Sequence, residues 1–300
     1  MSVEPGRTAV VVVNYGSHRL LEAYLAPREL PAEVQVVVVD NPTDAAERAA
    51  VTALARQHAW LLVCPDRNDG FGPGVNAGAA RAIADGCDVV VLVNPDAEVG
   101  VDVLVALAAE ARARPTAMVA PLVRHADGRP AFSRGVIDRR SGHVGMLGDP
   151  QQPLAWLTGA VLAVHASLWQ RLGGFSGDYF MYWEDVDLSH RCLAGGGQLA
   201  VRQDLTAVHH VGGTQGQGKS HLYYRYNCRN RLLFAARNLE RGDVLRWLLA
   251  TPRESWAILL RGGGRRRLLR DPTSAGAALV GTLDGVRLAL RTVLTGARTP

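Results

Sequence analysis

The chain has 300 residues, 48% hydrophobic and 20% charged, which is enough to bury one sizeable core. Its net charge of +5 sits in the tail, where Arg237 onward holds twelve arginines against five acids and leaves −2 for the rest. No uncharged apolar run reaches the roughly 18 residues a membrane span needs, and four scattered cysteines without C-x-x-C argue against a disulfide framework or zinc site. The opening "MSVEPGR" is short, polar and proline-broken, so no signal peptide is expected, and a reducing cytoplasm is.

Thr8 to Val13 ("TAVVVV") reads as a strand buried on both faces, followed by a turn at Asn14 to Ser17 with Ser17 as helix cap. His18 to Ala26 has helical spacing. Val34 to Val39 is a second buried strand, ending in Asp40-Asn41-Pro42, and Asp44 to Gln57 is a helix capped by Thr43 or Asp44. Trp60 to Cys64 is a third strand. This alternation predicts βαβ units and a parallel sheet.

Next comes "RNDGFGPGVNAG". Gly70, Gly72 and Gly74 permit close approach of backbone to a ligand, and Asn76 opens a helix to about Ala84. The spacing matches neither a dinucleotide fingerprint nor a P-loop, so a turn and a phosphate loop both remain open. Asp88 to Glu98 ("DVVVLVNPDAE") is a buried strand stopped by Pro95, which cannot donate to a sheet ladder. Asp96 is thereby left at the strand's carboxyl end, where α/β sheets bind ligands. Asn94, Asp96 and Glu98 suit a hard cation; capping the helix from Val101 to Arg112 is the alternative.

The pattern then changes. Ala117 to Val123, Pro130 to Val136 and Trp156 to Val164 read as strands, with Asp127-Gly128 as a hairpin turn and Arg139 to Gln152 as a polar loop. A helix from Ala166 to Leu172 ends at Gly173-Gly174. Phe175 to Arg191 ("FSGDYFMYWEDVDLSHR") sets five aromatics before Glu184, Asp185 and Asp187. Helix-dipole stabilisation explains the first two acids; so does general-base chemistry on a sugar-like substrate. Asp187 and Arg191 form an i, i+4 structural pair. Gly197 to Arg202 and Leu205 to Val211 are short strands, the second carrying His209, followed by a loop, "QGQGKS". The tail is helical over Tyr223 to Leu239, Val244 to Leu260 and Ala277 to Leu294, with a basic cluster at Arg261 to Arg270. Its Trp and Arg residues fit either an anionic membrane surface or ordinary packing. Nucleic acid is not expected, because no recognised module accompanies the basic patch.

Together the stretches "VVVVNY", "VVVVDNPTD", "NDGFGPGVNAG", "VLVNPDAEV", "WLTGAVLAV", "GGFSGDYFMYWEDVDLSHR" and "AVHHVGGT", in this order over residues 8–214, resemble the inverting glycosyltransferases of family 2. The nearest likeness is to bacterial rhamnosyltransferases that extend lipid-linked acceptors. The resemblance implies an α/β GT-A fold: a Rossmann-like nucleotide-binding half at 1–114, an acceptor-binding half at 115–218 around a mixed central sheet, and a helical extension at 219–300. It implies Asp185 as base with Glu184 beside it, Asp40 near the nucleotide base and Asn14 near the nucleoside. Asn68, Gly72 and Asn76 would close over the nucleotide sugar. Asp96 matches the last acid of the family's D-x-D element, with Asn94 replacing the first, and would bind Mg2+ or Mn2+ with the diphosphate near His209. Two departures from the family are Pro42, in place of a small-residue turn, and Ser176-Gly177, where an Asp-Glu pair is frequent.

The implied partners are a dTDP- or UDP-sugar and a lipid-linked saccharide or small-molecule acceptor. The implied location is the cytoplasm, with peripheral membrane contact through the basic C-terminal helices. A nucleotidyltransferase is the first rival, and "NYGSHRLLEAY" is a poor match to its basic glycine-rich loop. A catalytically silent scaffold is the second, and it would be marked by loss of Asp96 or Asp185, both of which are present.

Overall fold

A computed structural model describes residues 6–129, 133–146, 152–210, 219–261 and 272–295. Four parallel strands form one half of an eight-stranded sheet: β1 (Arg7–Asn14), β2 (Val34–Asp40), β3 (Leu61–Val63) and β4 (Cys87–Val93), in the order β3-β2-β1-β4. Their valine runs follow from burial on both faces. Along β1, Ala9, Val11 and Val13 point into one core cluster with Val75 and Ala79 of α3 (Phe71–Ala84). Val10 and Val12 point into the other with Leu104 and Leu107 of α4 (Val101–Ala113). That is the period-2 alternation of a strand. Gly78 lets α3 lie against the sheet, since a Cβ there would come 2.6 Å from Val11 and 2.8 Å from Val39.

Helix α1 (His18–Leu20) continues as a π-helical turn, Leu21–Leu25, and α2 (Ala45–Gln57) is capped by Asp44, which accepts from the Glu47 N–H. Ser17 precedes α1 without capping it; its hydroxyl donates to the Tyr15 carbonyl instead. Helix α3 begins at Phe71 rather than Asn76, so Gly72, Pro73 and Gly74 belong to its first turn, where a proline removes no helical bond.

The other half of the sheet is mixed. β5 (Ala97–Val99), β6 (Ala117–His125), β10 (Val161–His165) and β11 (Gln198–His209) complete the order β4-β10-β6-β11-β5. The expected strand from Trp156 to Val164 is two strands. β9 (Ala155–Leu157) joins a separate three-stranded sheet with β7 (Arg134–Ile137) and β8 (Val144–Met146), whereas β10 runs antiparallel to β4. The break falls where Thr158 N–H bonds to Ser133 and Gly159 N–H to Asp185, and no local signal announces such distant partners. Asp127-Gly128 does form a turn, but β6 and β7 enter different sheets and make no hairpin; residues 130–132 of the expected strand lie outside the described residues. The two strands expected after Gly197 are one, with a register shift between Arg202 and Thr206.

Helices α5 (Ala166–Leu172) and α6 (Glu184–Ala194) cover one face of the sheet, and α7 (His221–Asn238), α8 (Arg241–Leu260) and α9 (Pro272–Thr295) follow. The third core cluster joins Trp156, Tyr179 and Trp183 to Leu232, Phe234 and Trp247 of α7 and α8. Val211 to Thr214, the "QGQG" loop and most of the Arg261 to Arg270 cluster lie outside the described residues.

Candidate active site

The parallel register sets Asn14 opposite Asp40 at the carboxyl ends of β1 and β2. Both are buried. Asn14 Nδ2 donates to Asp40 Oδ1 at 2.7 Å and to Glu47 Oε1 at 3.0 Å, and Arg48 pairs with the other Asp40 oxygen. Glu47 also accepts from the His18 N–H at 2.8 Å and contacts the His18 ring. Burial opposes ionisation of Glu47, yet hydrogen bonds from Asn14 and His18 outweigh it and hold its carboxyl below the ordinary range. Glu47, Arg48 and His18 were not singled out from the sequence. The one available signal was Glu47's place three residues after the cap Asp44, a capping-box spacing.

The glycine segment is bound tightly to the rest. Asn68 Oδ1 accepts from Gly70 N–H at 3.0 Å and Asn41 Nδ2 at 3.2 Å. Gly70 has φ +109°, and a Cβ there would come 2.0 Å from the Phe180 carbonyl, which accepts from Phe71 N–H at 2.8 Å. Asn76 is held by Phe175 at both ends of its amide, donating to the carbonyl at 2.7 Å and accepting from the N–H at 2.9 Å. Gly72 lies against the Phe175 side chain. The segment therefore docks on the aromatic stretch, with Asn76 already committed to it.

At the end of β4, Asp96 Oδ1 lies 2.9 Å from His209 Nε2. The pairing is created by β5, whose Ala97 faces His209 across an antiparallel ladder. A three-residue strand carries no sequence signal, and it also separates Asp96 from α4, which Gly100 caps without a side chain. Asn94 Oδ1 is buried without a hydrogen-bond partner. Beside the pair, Glu98 bonds His210 and Arg28, and the His210 contact, with Arg28 assisting, holds its carboxyl low. Among the described residues, no group of three or more His, Cys, Asp and Glu side chains is placed to hold a metal ion by itself. One carboxylate, one imidazole and one unpaired amide oxygen fit a divalent cation whose remaining ligands are phosphate oxygens and water.

The acidic helix enters through backbone strain. Tyr182 and Trp183 have φ +67° and +75°, a region that bulky residues rarely adopt. Glu184 follows, buried, with Oε2 unpartnered. Burial, reinforced by the adjacent Asp185 charge, pushes its pKa well up. Asp185 accepts from Gly159 N–H at 3.0 Å and its neighbour Val186 N–H at 2.8 Å. Burial raises its pKa to about 6 despite those two bonds, which leaves a base able to hold a proton near neutrality. Asp187 pairs with Arg191 at 2.8 Å, and Arg191 also donates to the Leu172 and Gly174 carbonyls, so this pair braces the fold.

No protein-family model matches the chain. A curated relative from Mycobacterium tuberculosis, N-acetylglucosaminyl-diphospho-decaprenol L-rhamnosyltransferase, is 30% identical over 71% of this chain and 79% of its own length. The chain belongs to the family 2 glycosyltransferases. Solved structures bear out the GT-A fold. The mannosyltransferase PcManGT of Pyrobaculum calidifontis, in complex with GDP-Man and Mn2+, has TM-score 0.55 at 19% identity, covering 98% of this chain and 90% of that one. S. aureus TarS 1–349 has TM-score 0.53 at 14% identity, covering 97% and 92%. GalNAc-T7 with UDP, GalNAc and Mn2+ reaches 0.61 at 16% identity, covering 77% of this chain, which spans about half of that longer one (48%). As a glycosyltransferase, the chain is an enzyme and neither a nucleotidyltransferase nor a silent scaffold.

Proposed function

We propose that the enzyme moves a sugar, rhamnose from a dTDP donor in the first instance, onto a hydroxyl of a lipid-linked saccharide, with inversion at the anomeric carbon. The observation that carries the reading is the separation of two unlike groups: the Asp96–His209 pair at the end of β4, and the desolvated Asp185 at the head of α6. The rhamnosyltransferase relative supports the sugar and the decaprenyl-diphosphate type of acceptor.

In this reading Asp185 takes the proton of the acceptor hydroxyl as its oxygen attacks the anomeric carbon and the bond to the diphosphate breaks on the opposite side. Burial pushes the Glu184 carboxyl well up, above its neighbour, which favours leaving the negative charge of the pair on Asp185. Asn14 and Asp40, fixed by Glu47 and Arg48, face the nucleoside, and Asn68 and Gly72 border the sugar. Asp96 and His209, with Asn94, would hold Mg2+ or Mn2+. When bound, that cation would offset charge developing on the leaving diphosphate. The PcManGT and GalNAc-T7 complexes with Mn2+ favour this use of a divalent cation.

A peripheral membrane site suits such an acceptor. No helix of the described residues is long and apolar enough to cross a membrane. Trp247 is fully buried and serves the core, but Leu249 (82% exposed), Trp256 and Leu294 are exposed near Arg246, Arg253 and Arg291 in the chain. Such apolar residues among arginines favour an anionic lipid surface.

The experiment is donor binding across a panel of NDP-sugars, with and without Mn2+, for the wild type, Asp96→Ala and Asp185→Asn. We expect metal-dependent binding of one donor, lost in Asp96→Ala and kept in Asp185→Asn, while transfer falls about 10³-fold in the latter. Donor binding unaffected by metal and by Asp96→Ala would sink the assignment of the cation site.

A further inference from the structure

From the sequence, α7 is expected only as part of a helical tail that packs on the core or meets a membrane surface. The structure turns one face of it onto the segment that precedes and opens α6. Tyr223 meets Tyr182 edge-on at 5.4 Å between ring centroids, and Tyr226 stacks on Phe180 at 5.2 Å. Phe234 packs on Trp183 at 5.7 Å, and Asn238 Nδ2 donates to Asp187 Oδ1 at 3.0 Å. With Asn230, these positions recur every three or four residues, the spacing of one helix face.

Asn230 is the centre of that face and is fully buried. Its amide donates twice, to the Met181 carbonyl at 2.9 Å and the Tyr182 carbonyl at 2.8 Å. Its own oxygen accepts from Arg229, whose guanidinium also donates to the Asp178 carbonyl. The two carbonyls lie just before and just after Tyr182, at the one place among the described residues where consecutive non-glycine residues have positive φ. An unfavourable backbone persists only where its surroundings over-determine it, and here the amide satisfies the carbonyls that this conformation turns inward. Trp183 is the residue immediately before α6, so the direction in which Glu184 and Asp185 leave the turn follows from its backbone.

We propose that α7 acts as a clamp on the turn before the acidic helix, with Asn230 the positioning residue that holds the Tyr182–Trp183 backbone and thereby aims Asp185 at the acceptor. Helix α7 is then part of the catalytic apparatus. The inference rests on Asp185 as the base, and it assigns Asn230 no contact with substrate. Misplacement of a reacting group by about 1 Å can cost about 10²-fold in rate, which sets the scale of the effect.

The test uses the full chain with Asn230→Ala and Asn230→Ser, the second keeping one donor. Asn227→Ala serves as control, because among the described residues the Asn227 side chain donates to the Tyr223 carbonyl one turn back, within α7 itself. Steady-state transfer is measured against pH, varying donor and acceptor separately. We expect kcat to fall about 10²-fold in Asn230→Ala and less in Asn230→Ser. Donor KM should be unchanged, the acid limb of the kcat profile should move, and Asn227→Ala should behave as wild type. Glu184 and Asp187, which share the Asp185 environment, remain in every variant. Wild-type kcat and an unmoved acid limb in Asn230→Ala would overturn the inference. So would loss of fold in both Asn230 variants, which assigns the amide to stability alone. Asp185→Asn run alongside separates the two ideas: if it retains wild-type transfer and acid limb, the base assignment fails irrespective of what Asn230 does.

Discussion

The carboxyl ends of β1 and β2 and the head of α6 both gather buried carboxylates, and they treat them in opposite ways. At Asp40 and Glu47 every oxygen finds a donor from Asn14, Arg48 or His18, and hydrogen bonding wins over burial at Glu47. At Glu184 and Asp185 burial wins: one oxygen has no partner, both pKa values rise, and the backbone leading in is strained. The first arrangement is a rigid, charge-balanced frame for a ligand. The second holds groups away from their preferred state, which is what proton transfer near neutral pH requires. Asp187, two residues beyond Asp185, returns to the first pattern through Arg191, Asn238 and Tyr179.

Three measurements test this contrast, from the largest effect to the smallest. Arg191→Ala should cost about 3 kcal/mol by chemical denaturation, because it strands the buried Asp187 and frees two carbonyls. A loss no larger than that of an exposed pair would remove the distinction between bracing and reactive acids.

Asp185→Asn should do the reverse. With its folded pKa near 6, above the ordinary carboxyl value of 3.8, native Asp185 binds more protons than the unfolded chain between those pH values. Wild-type stability attributable to this group is therefore present at low pH and lost as pH rises through about 6. The asparagine variant escapes that loss but accepts one fewer backbone N–H, so a gain of about 1–2 kcal/mol at pH 7 is expected, shrinking toward pH 4. Equal denaturation midpoints at the two pH values would show that Asp185 is not held in a costly state.

Asp69→Ala, which breaks the exposed Arg67–Asp69 pair at the edge of the glycine segment, should leave the denaturation midpoint unmoved. A measurable shift would place that pair among the frame's working contacts.

Much of the first half was legible from local pattern. Valine runs become central parallel strands because burial on both faces demands continuous apolar residues, and Pro95 must end β4 because it has no N–H for the ladder. Asp40, Asp96 and Asp185 stand out because each acid closes a strand or opens a helix. By contrast, Trp156 to Val164 reads as one strand and forms two, because Ser133 and Asp185 break it from afar. Tryptophan in α8 was equally ambiguous: Trp247 proves to be core and Trp256 half exposed, although both sit in the same kind of helical pattern.

By itself, then, the sequence determined which segments are strands buried on both faces, where they stop, and which acids stand at those ends, since burial, alternation and proline act over a few residues. Only the tertiary structure decided which groups meet. β5 carries Asp96 to His209, 113 residues apart in the chain, and α7 reaches back 48 residues to set Asn230 on the Tyr182 carbonyl. The physical reason is that a strand as short as β5, or one amide on a helix, has no periodicity of its own. Its partner is chosen by the packing of the whole chain.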